Sequence, residues 1–131
     1  MSPLRPPPET DRERRQVAQR RGVRAELLAA WWLRLKGYRV VARDLRTPLG
    51  QIDLVVRRGR VLAIVEVKQR DDLRTAVESL TPRQQARLTA AAETVLAYRP
   101  ALARLDMRFD IVLMVPGRRP HHLADAWRPG F

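Results

Sequence analysis

The sequence predicts one α/β domain, in which helices pack against a single sheet of about five strands. Segments with helical and strand periodicity alternate in the order helix, three strands, helix, two strands, without an internal repeat. The chain has 131 residues and a hydrophobic content of 45%. That length favours a single domain and is sufficient for one buried core.

Residues 1–15 are rich in proline and charge and show no periodicity. This composition predicts a disordered basic arm, which either adds non-specific phosphate contacts or is an inert tail. The folded domain is therefore expected to comprise residues 16–131.

The first helix is predicted from about Gln16 to Lys36, with Gly37 as its C-terminal cap. Glu26 lies on the flank of the predicted buried stripe, about 120° from its centre on a helical wheel. On this helix alone, a surface carboxylate paired with an arginine is the favoured interpretation of Glu26. The stripe itself consists of Ala25, Leu28, Ala29, Trp32 and Leu35.

The centre of the chain predicts a β-hairpin whose strands cover residues 50–56 and 61–68. Both runs are almost wholly apolar, which predicts burial on both faces. The basic turn Arg57-Arg58-Gly59-Arg60 joins them, with Gly59 providing the unusual backbone angles. A preceding strand is predicted at Tyr38–Arg43, followed by a loop from Asp44 to Leu49.

The polar stretch after the hairpin, residues 69–79, has no clear period and predicts a mobile loop over a functional edge. The second helix begins clearly: Thr81 is its N-cap, Pro82 takes the first helical position and Gln84 closes a capping box. Gln84 also lies on the buried line of that helix, so capping and substrate contact carry equal weight. Two further strands are predicted at residues 107–115 and 121–127.

Three charged residues interrupt the apolar hairpin: Asp53, Glu66 and Lys68. Ionised groups in buried strands are costly unless they are paired or bind a metal. Glu66 and Lys68 share a face, and a suitable register would place Asp53 beside Glu66. Two carboxylates and a strand carbonyl suit a hard cation such as Mg²⁺ or Mn²⁺, while Lys68 could orient water or stabilise developing charge. A carboxylate–lysine pair that holds strand register is an equally weighted alternative.

The formal net charge of +12 favours a polyanionic partner, with nucleic acid ahead of an anionic membrane. The 26 basic residues include only two lysines, Lys36 and Lys68, so Lys68 hints at a need for a compact ammonium. The absence of cysteine excludes disulfides and thiolate metal sites. Neither a membrane span nor a signal-peptide core is evident, so we expect a soluble cytoplasmic protein.

The spacing of Asp53 and Glu66-Val67-Lys68 resembles the PD-(D/E)XK nuclease signature. A longer series of short motifs, from about Arg20 to Trp127, resembles the YraN family of small bacterial proteins. The motifs are Arg21-Gly22, Ala25-Glu26, Gly37-Tyr38, Ala42-Arg43, Gly50-Gln51-Ile52-Asp53-Leu54, Val65-Glu66-Val67-Lys68, Arg70, Thr81-Pro82 and Arg108-Phe109-Asp110.

This resemblance implies a restriction-endonuclease-like three-layer core with a mixed sheet, similar to that of archaeal Holliday junction resolvases. It implies Asp53 and Glu66 as Mg²⁺ or Mn²⁺ ligands and Lys68 as the catalytic lysine. It also brings Glu26 of the first helix to the metal, against the surface interpretation. The implied activity is hydrolysis of structured or branched DNA, and related resolvases act as homodimers on such two-fold substrates.

Four further residues are expected to contact nucleic acid: Gln51, Arg70, Arg83 and Gln84. The sequence departs from the family pattern at Gln51, where the family usually has a glutamate, and at Arg83, where it usually has a lysine. An amide at position 51 lacks the negative charge of a carboxylate. The alternative function is therefore a nucleic-acid-binding protein that keeps the nuclease-like fold without its chemistry.

Overall fold

The structure, a computed structural model, describes the backbone of residues 11–129 and the side chains of residues 22–129. Residues 1–10 of the predicted arm lie outside the described residues. The elements in chain order are α1 (Asp11–Leu35), β1 (Arg39–Thr47), β2 (Gly50–Arg58), β3 (Val61–Gln69), α2 (Leu73–Glu78), α3 (Pro82–Tyr98), a 3-10 turn (Pro100–Arg104), β4 (Asp106–Met114) and β5 (His121–Trp127).

The five strands form one mixed sheet in the order β1-β2-β3-β4-β5. Neighbouring strands are antiparallel except β3 and β4, which run parallel because the chain crosses over through α2 and α3 between them. The first helix packs on one face of the sheet and α3 on the other, with separate hydrophobic clusters beneath each. This arrangement confirms the predicted α/β class and three-layer core.

The two clusters share the hairpin strands, which are buried on both faces as predicted. Leu54 and Val56 face α1, whereas Val55 and Ile64 belong to the cluster under α3. Each of these four side chains is at most 2% exposed. Burial of both faces explains why the alternating pattern of a half-buried strand is missing from this part of the sequence.

The predicted face of the first helix is wrong in part: Ala25 and Ala29 are buried as predicted, but two larger residues are not. Leu28 is 57% exposed and Leu35 is 78% exposed, although both were assigned to the buried stripe. The side chains that pack on the sheet are mostly small: Ala25, Ala29, Ala30 and Leu33. Apolar residues occur all around this helix, so periodicity alone could not identify the inner face. The helix also begins at Asp11, five residues before the predicted start, so residues 11–15 are helical rather than part of a disordered arm.

Two predicted loops are also wrong in part. The segment after Arg43 continues as β1 to Thr47, leaving a tight turn before β2 at Gly50. Thr47 closes this turn by accepting the N–H of Gly50 and donating its hydroxyl to the Gly50 carbonyl. The polar stretch after β3 contains the short helix α2, whose N-cap Asp72 accepts the N–H of Thr75 at 2.7 Å. Six helical residues are too few to display a period.

The predicted helix and hairpin ends are confirmed. Thr81 and Gln84 form a reciprocal capping box at the start of α3, with Pro82 in its first turn. Gly37 after α1 and Gly59 in the hairpin turn adopt left-handed backbone angles, with φ of 92° and 59°. Among the described residues, no helix is long and apolar enough to span a membrane.

Candidate functional site

The candidate site lies where β2 and β3 separate. Backbone pairing between these strands runs from Arg58–Val61 to Leu54–Val65. Beyond that point β2 stays paired with β1, and β3 stays paired with β4. Asp53 and Glu66, the next residues in this register, therefore face each other across the opening.

The Asp53 carboxylate bridges part of this opening. Its Oδ2 accepts the backbone N–H of Val67 at 2.9 Å, which ties the carboxylate to the neighbouring strand. This hydrogen bond fixes one oxygen of Asp53, and the second oxygen remains available to other groups. The hairpin register thus brings Asp53 and Glu66 together as the alternation of side chains predicted.

Lys68 shares a face of β3 with Glu66, as expected for residues two apart in a strand. Its Nζ lies 3.5 Å from Glu66 Oε1, and the two side chains are only 13% and 18% exposed. Lys68 also lowers the pKa of Asp53 electrostatically. The ammonium group of Lys68 therefore interacts electrostatically with the carboxylates of both Glu66 and Asp53.

Glu26 joins this pair from α1. It lies close enough to Asp53 for that carboxylate to raise its pKa, so the interpretation of Glu26 as a surface carboxylate paired with arginine is wrong. Ala30, one helical turn further along, is buried against the sheet and directs this side of α1 towards the strands. The contacts form a chain in which Asp53 meets both Glu26 and Glu66.

Burial raises the pKa values of all three carboxyl groups, and the neighbouring Asp53 adds to the shift at Glu26 and Glu66. Burial and the neighbouring Asp53 raise the pKa of Glu26 to about 7. Burial and Asp53 likewise raise the pKa of Glu66 to about 7, even though Lys68 opposes the shift. Burial raises the pKa of Asp53 too, despite its hydrogen bond from Val67. The site thus concentrates more negative charge than its single lysine neutralises, and it favours uptake of protons or cations.

These donors fit a hard divalent cation that keeps several water ligands. Asp53 and Glu66 offer carboxylate oxygens on facing strands, which is the number of carboxylates that Mg²⁺ commonly takes from a protein. Among residues 22–129, no three His, Cys, Asp or Glu side chains converge into a ready-made ligand set. The arrangement therefore fits Mg²⁺ or Mn²⁺ better than an ion such as Zn²⁺, which takes three or four protein ligands.

A cavity of about 190 Å³ opens beside Glu66 on the side of α3. Gln51 and Gln84, both predicted to contact nucleic acid, line it together with Arg87. Gln84 keeps its capping role as well, because its Oε1 accepts the N–H of Thr81 at 3.4 Å. Arg87 was missed by sequence reasoning; its position one turn after Gln84 was the available signal.

The other two predicted contact residues lie outside this cavity. Arg70 follows the end of β3, is exposed, and donates to the carbonyl of Gln69 at 2.7 Å. Arg83 is exposed in the first turn of α3, next to Gln84. Neither lines the cavity beside Glu66.

Asp44 is a further acidic residue that the sequence did not identify. Its carboxylate accepts a hydrogen bond from the Gln51 amide and contributes to the raised pKa of Glu26. Because Asp44 was predicted to lie in a loop, its place on β1, beside the site, was hidden. The side-chain amide of Gln51 thus donates a hydrogen bond to the carboxylate of Asp44, at the edge of the candidate site.

A second buried carboxylate, Asp110 of β4, belongs to a different cluster. Arg108 donates two hydrogen bonds to it at 2.8 Å, and His122 lies 2.7 Å away. A register shift in β5 also directs the backbone N–H of Asp125 to Asp110, at 2.9 Å. Burial would raise the pKa of Asp110, but the hydrogen bonds from His122 and Arg108 outweigh it and hold the pKa below its ordinary value.

Comparison with known proteins agrees with the motifs. The model of the uncharacterised protein family UPF0102 matches residues 25–114. A UPF0102 protein of Parvibaculum lavamentivorans is 64% identical over 113 residues, covering 86% of this chain and 85% of the relative. Relatives from Paramagnetospirillum magneticum and Caulobacter vibrioides are 54% and 50% identical over 117 residues, covering 86% and 88% of this chain and 91% and 94% of their own lengths. The chain therefore belongs to the UPF0102 family, which is the YraN family that its sequence motifs predicted.

Proposed function

We propose that this protein is a divalent-metal-dependent nuclease that hydrolyses phosphodiester bonds in structured or branched DNA. The observation that carries the proposal is that Asp53 and Glu66 face each other where β2 and β3 separate, with Lys68 3.5 Å from Glu66 and Glu26 close enough to Asp53 for its pKa to be raised. A fold gains nothing in stability from three mutually repelling, partly buried carboxyl groups. Perturbed acids grouped in this way are typical of functional sites.

The chemistry divides among the four side chains. A divalent cation bound by Asp53 and Glu66 would supply Lewis-acid activation of the phosphodiester and of the attacking water. Lys68 provides positive charge to stabilise the negative charge that develops on the phosphate oxygens. Glu26, with a pKa of about 7, can accept or release a proton near neutral pH.

The cavity beside Glu66 suits the approach of the substrate. Arg87 adds a guanidinium group, which matches phosphate geometry, and the amides of Gln51 and Gln84 add neutral donors. The net charge of +12 supports long-range attraction of a polyanion. The proposed partner is therefore nucleic acid, with DNA as the substrate.

A cleavage assay tests the proposal. Purified protein is incubated with labelled four-way junctions, flaps, nicked duplexes and linear duplexes in the presence of Mg²⁺ or Mn²⁺. We expect cleavage by the wild type and a loss of at least about 100-fold for Asp53→Asn and for Lys68→Ala. Asp106→Asn, which changes an exposed aspartate at the start of β4, is the matched control and should cleave normally.

Cleavage that survives Asp53→Asn would assign the activity to a contaminant or another site. Absence of cleavage on every substrate, combined with salt-sensitive DNA binding, would favour the second candidate function. That candidate is a nucleic-acid-binding protein without catalysis, and one observation favours it: the Gln51 amide donates to Asp44 and leaves the metal site one carboxylate short of the usual family pattern.

A homodimer is part of the proposal, because a two-fold enzyme matches the symmetry of a branched substrate. Light scattering with and without a four-way junction tests it directly. A monomer on a junction that is nevertheless cleaved symmetrically would contradict the dimer and leave the nuclease intact.

A further inference from the structure

A second concave surface lies at the other end of the central hairpin. This distal groove, of about 320 Å³, is lined by Gly37, Arg39, Arg57, Arg58 and Gly59. Its Arg57 lies four residues along β2 from Asp53, which is roughly 13 Å for an extended strand. The nuclease chemistry proposed above does not use it.

Two of its arginines oppose each other across the sheet. Arg39 of β1 and Arg57 of β2 are direct partners in the register, so their side chains share a face. Like charges at such positions destabilise a sheet. In the part of the chain that the structure describes, no ion pair joins either arginine, or Arg58, to a carboxylate. Within residues 22–129, no carboxylate therefore compensates this repulsion.

The other interactions of the groove hold its guanidinium groups in place. Arg58 donates to the carbonyl of Lys36 at 3.2 Å and stacks over the Tyr38 ring, 4.7 Å from its centre. Arg57 donates its Nε–H to the carbonyl of Gly59 at 3.2 Å. Each of these contacts uses one of the five N–H donors of an arginine, which leaves the remaining donors for a ligand.

We propose that the distal groove is a phosphate-binding subsite for the backbone of nucleic acid. Guanidinium groups match phosphate oxygens in charge and in fork geometry, and an anion between Arg39 and Arg57 would relieve their repulsion. The groove is lined only by glycines and arginines, so it offers no apolar side chain to the acyl chains of a membrane. A nucleic-acid backbone is therefore a better match than a lipid surface.

The position of the groove defines what the subsite does. A separation of roughly 13 Å corresponds to about four base pairs of duplex rise. Both faces of β2 are covered by helices, so a duplex that reaches both the candidate active site and the distal groove would pass over the outer surface of the domain. The groove thus holds a phosphate away from the cleaved bond and sets the orientation of the duplex. This inference rests on the nucleic-acid partner of the proposed function but does not require cleavage.

Binding of a labelled DNA duplex in the presence of EDTA tests the subsite without any contribution from catalysis. The full chain, the double variant Arg39→Gln/Arg57→Gln and the charge-matched control Arg104→Gln/Arg118→Gln are titrated by fluorescence anisotropy at several salt concentrations. Arg104 and Arg118 are exposed and lie outside the groove. We expect the groove variant to bind about tenfold more weakly at low salt, with a salt slope smaller by about 0.9, because one phosphate contact is lost. The control should retain its slope.

Thermal unfolding at low salt without DNA provides a second measurement. Removal of the opposed charges should raise the Tm of the groove variant but not that of the control. Equal effects of both double variants on DNA binding would show that the groove contributes only non-specific positive charge, and this result would overturn the proposal. Loss of binding to phosphatidylserine vesicles, with DNA binding unchanged, would overturn it in favour of a membrane surface.

The outcomes separate this inference from the nuclease. DNA binding that depends on Arg39 and Arg57, together with no cleavage of any substrate, would support phosphate binding in the distal groove and contradict the nuclease activity. Cleavage that depends on Asp53 but is indifferent to Arg39 and Arg57 would keep the nuclease and reject the groove. Failure of the wild type to bind any nucleic acid would reject both.

Discussion

Asp53 and Asp110 both interrupt apolar strands of the sheet interior, yet the pKa of one is raised and the pKa of the other is lowered by its surroundings. Asp110 meets Arg108, His122 and the N–H of Asp125, and its pKa is lowered. Asp53 meets one N–H and two other carboxyl groups, and its pKa is raised. The first aspartate is fully compensated by the protein, whereas the second is not.

This difference separates a structural carboxylate from a candidate functional one. The Asp110 cluster joins β4 to β5 and, through Tyr38 and Arg108, to the end of α1. Removal of any member leaves a buried partner unsatisfied. The Asp53 cluster holds unneutralised charge, which is useful only if something outside the chain, such as a cation, completes it.

The largest expected effect is on stability. Asp110→Ala leaves Arg108 without its buried counter-charge and His122 without its hydrogen-bond partner, and should lower the free energy of unfolding by about 3–5 kcal/mol. Asp53→Ala should leave the metal-free protein at pH 8 unchanged or more stable, because it relieves repulsion within the carboxyl cluster. Urea unfolding of both variants measures this contrast. A comparable loss for Asp53→Ala would make that cluster structural and remove the distinction.

Smaller losses of stability should show which of the residues around Asp110 contribute to its stabilisation. The His122 side chain is 3% exposed and bonds directly to Asp110, so His122→Ala should cost about 1.5–3 kcal/mol. Lys36 donates to the outer nitrogen of the same ring at 2.6 Å but is exposed. Lys36→Met should therefore stay within about 0.5 kcal/mol of the wild type. Urea unfolding compares the two, and equal losses would show that the network extends to the surface.

The smallest effect is a pH dependence of opposite sign at the two sites. The raised pKa values of Glu26 and Glu66 favour the fold below about pH 4.5, and this contribution is lost as the pH rises to about 7. The lowered pKa of Asp110 contributes above its ordinary value and is lost as the pH falls through its folded pKa. Metal-free wild type should thus be less stable at pH 8 than at pH 5.5, by on the order of 1 kcal/mol after solvent screening.

Glu66→Gln is the control for this pH dependence, since it removes one raised carboxyl group without changing the shape of the side chain. The difference in unfolding free energy between pH 5.5 and 8 should shrink in this variant. Added Mg²⁺ should also reduce the difference in the wild type, because a cation stabilises the ionised carboxylates. Identical pH profiles for wild type and Glu66→Gln would show that the cluster is not under electrostatic stress.

Much of the hairpin and of the candidate site could be predicted from the sequence. The alternation of side chains, which is a local signal, put Glu66 and Lys68 on one face, and the observed register places Asp53 opposite Glu66. The capping box at Thr81 and the left-handed Gly37 are likewise local signals. The resemblance to a known family correctly brought Glu26 to the site, although the helix pattern alone did not.

The errors share a different cause. The inner face of α1 was misassigned because alanines, rather than the larger Leu28 and Leu35, pack on the sheet. Asp44 and Arg87 were missed because they reach the site from β1 and α3, which are distant in sequence. The complete compensation of Asp110 was hidden for the same reason, since His122 and Asp125 come from the neighbouring strand.

The sequence by itself determined which residues carry charge in apolar strands, where the elements begin and end within a few residues, and the family to which the chain belongs. Only the tertiary structure decided which of those charges have partners. Neutralisation depends on contacts between separate elements, which the order of residues does not reveal. Asp53 and Asp110 look alike in the sequence, and they differ because Asp53 faces carboxylates across a gap in the sheet, whereas Asp110 is bonded to Arg108 on its own strand and to His122 and the Asp125 N–H on the paired strand.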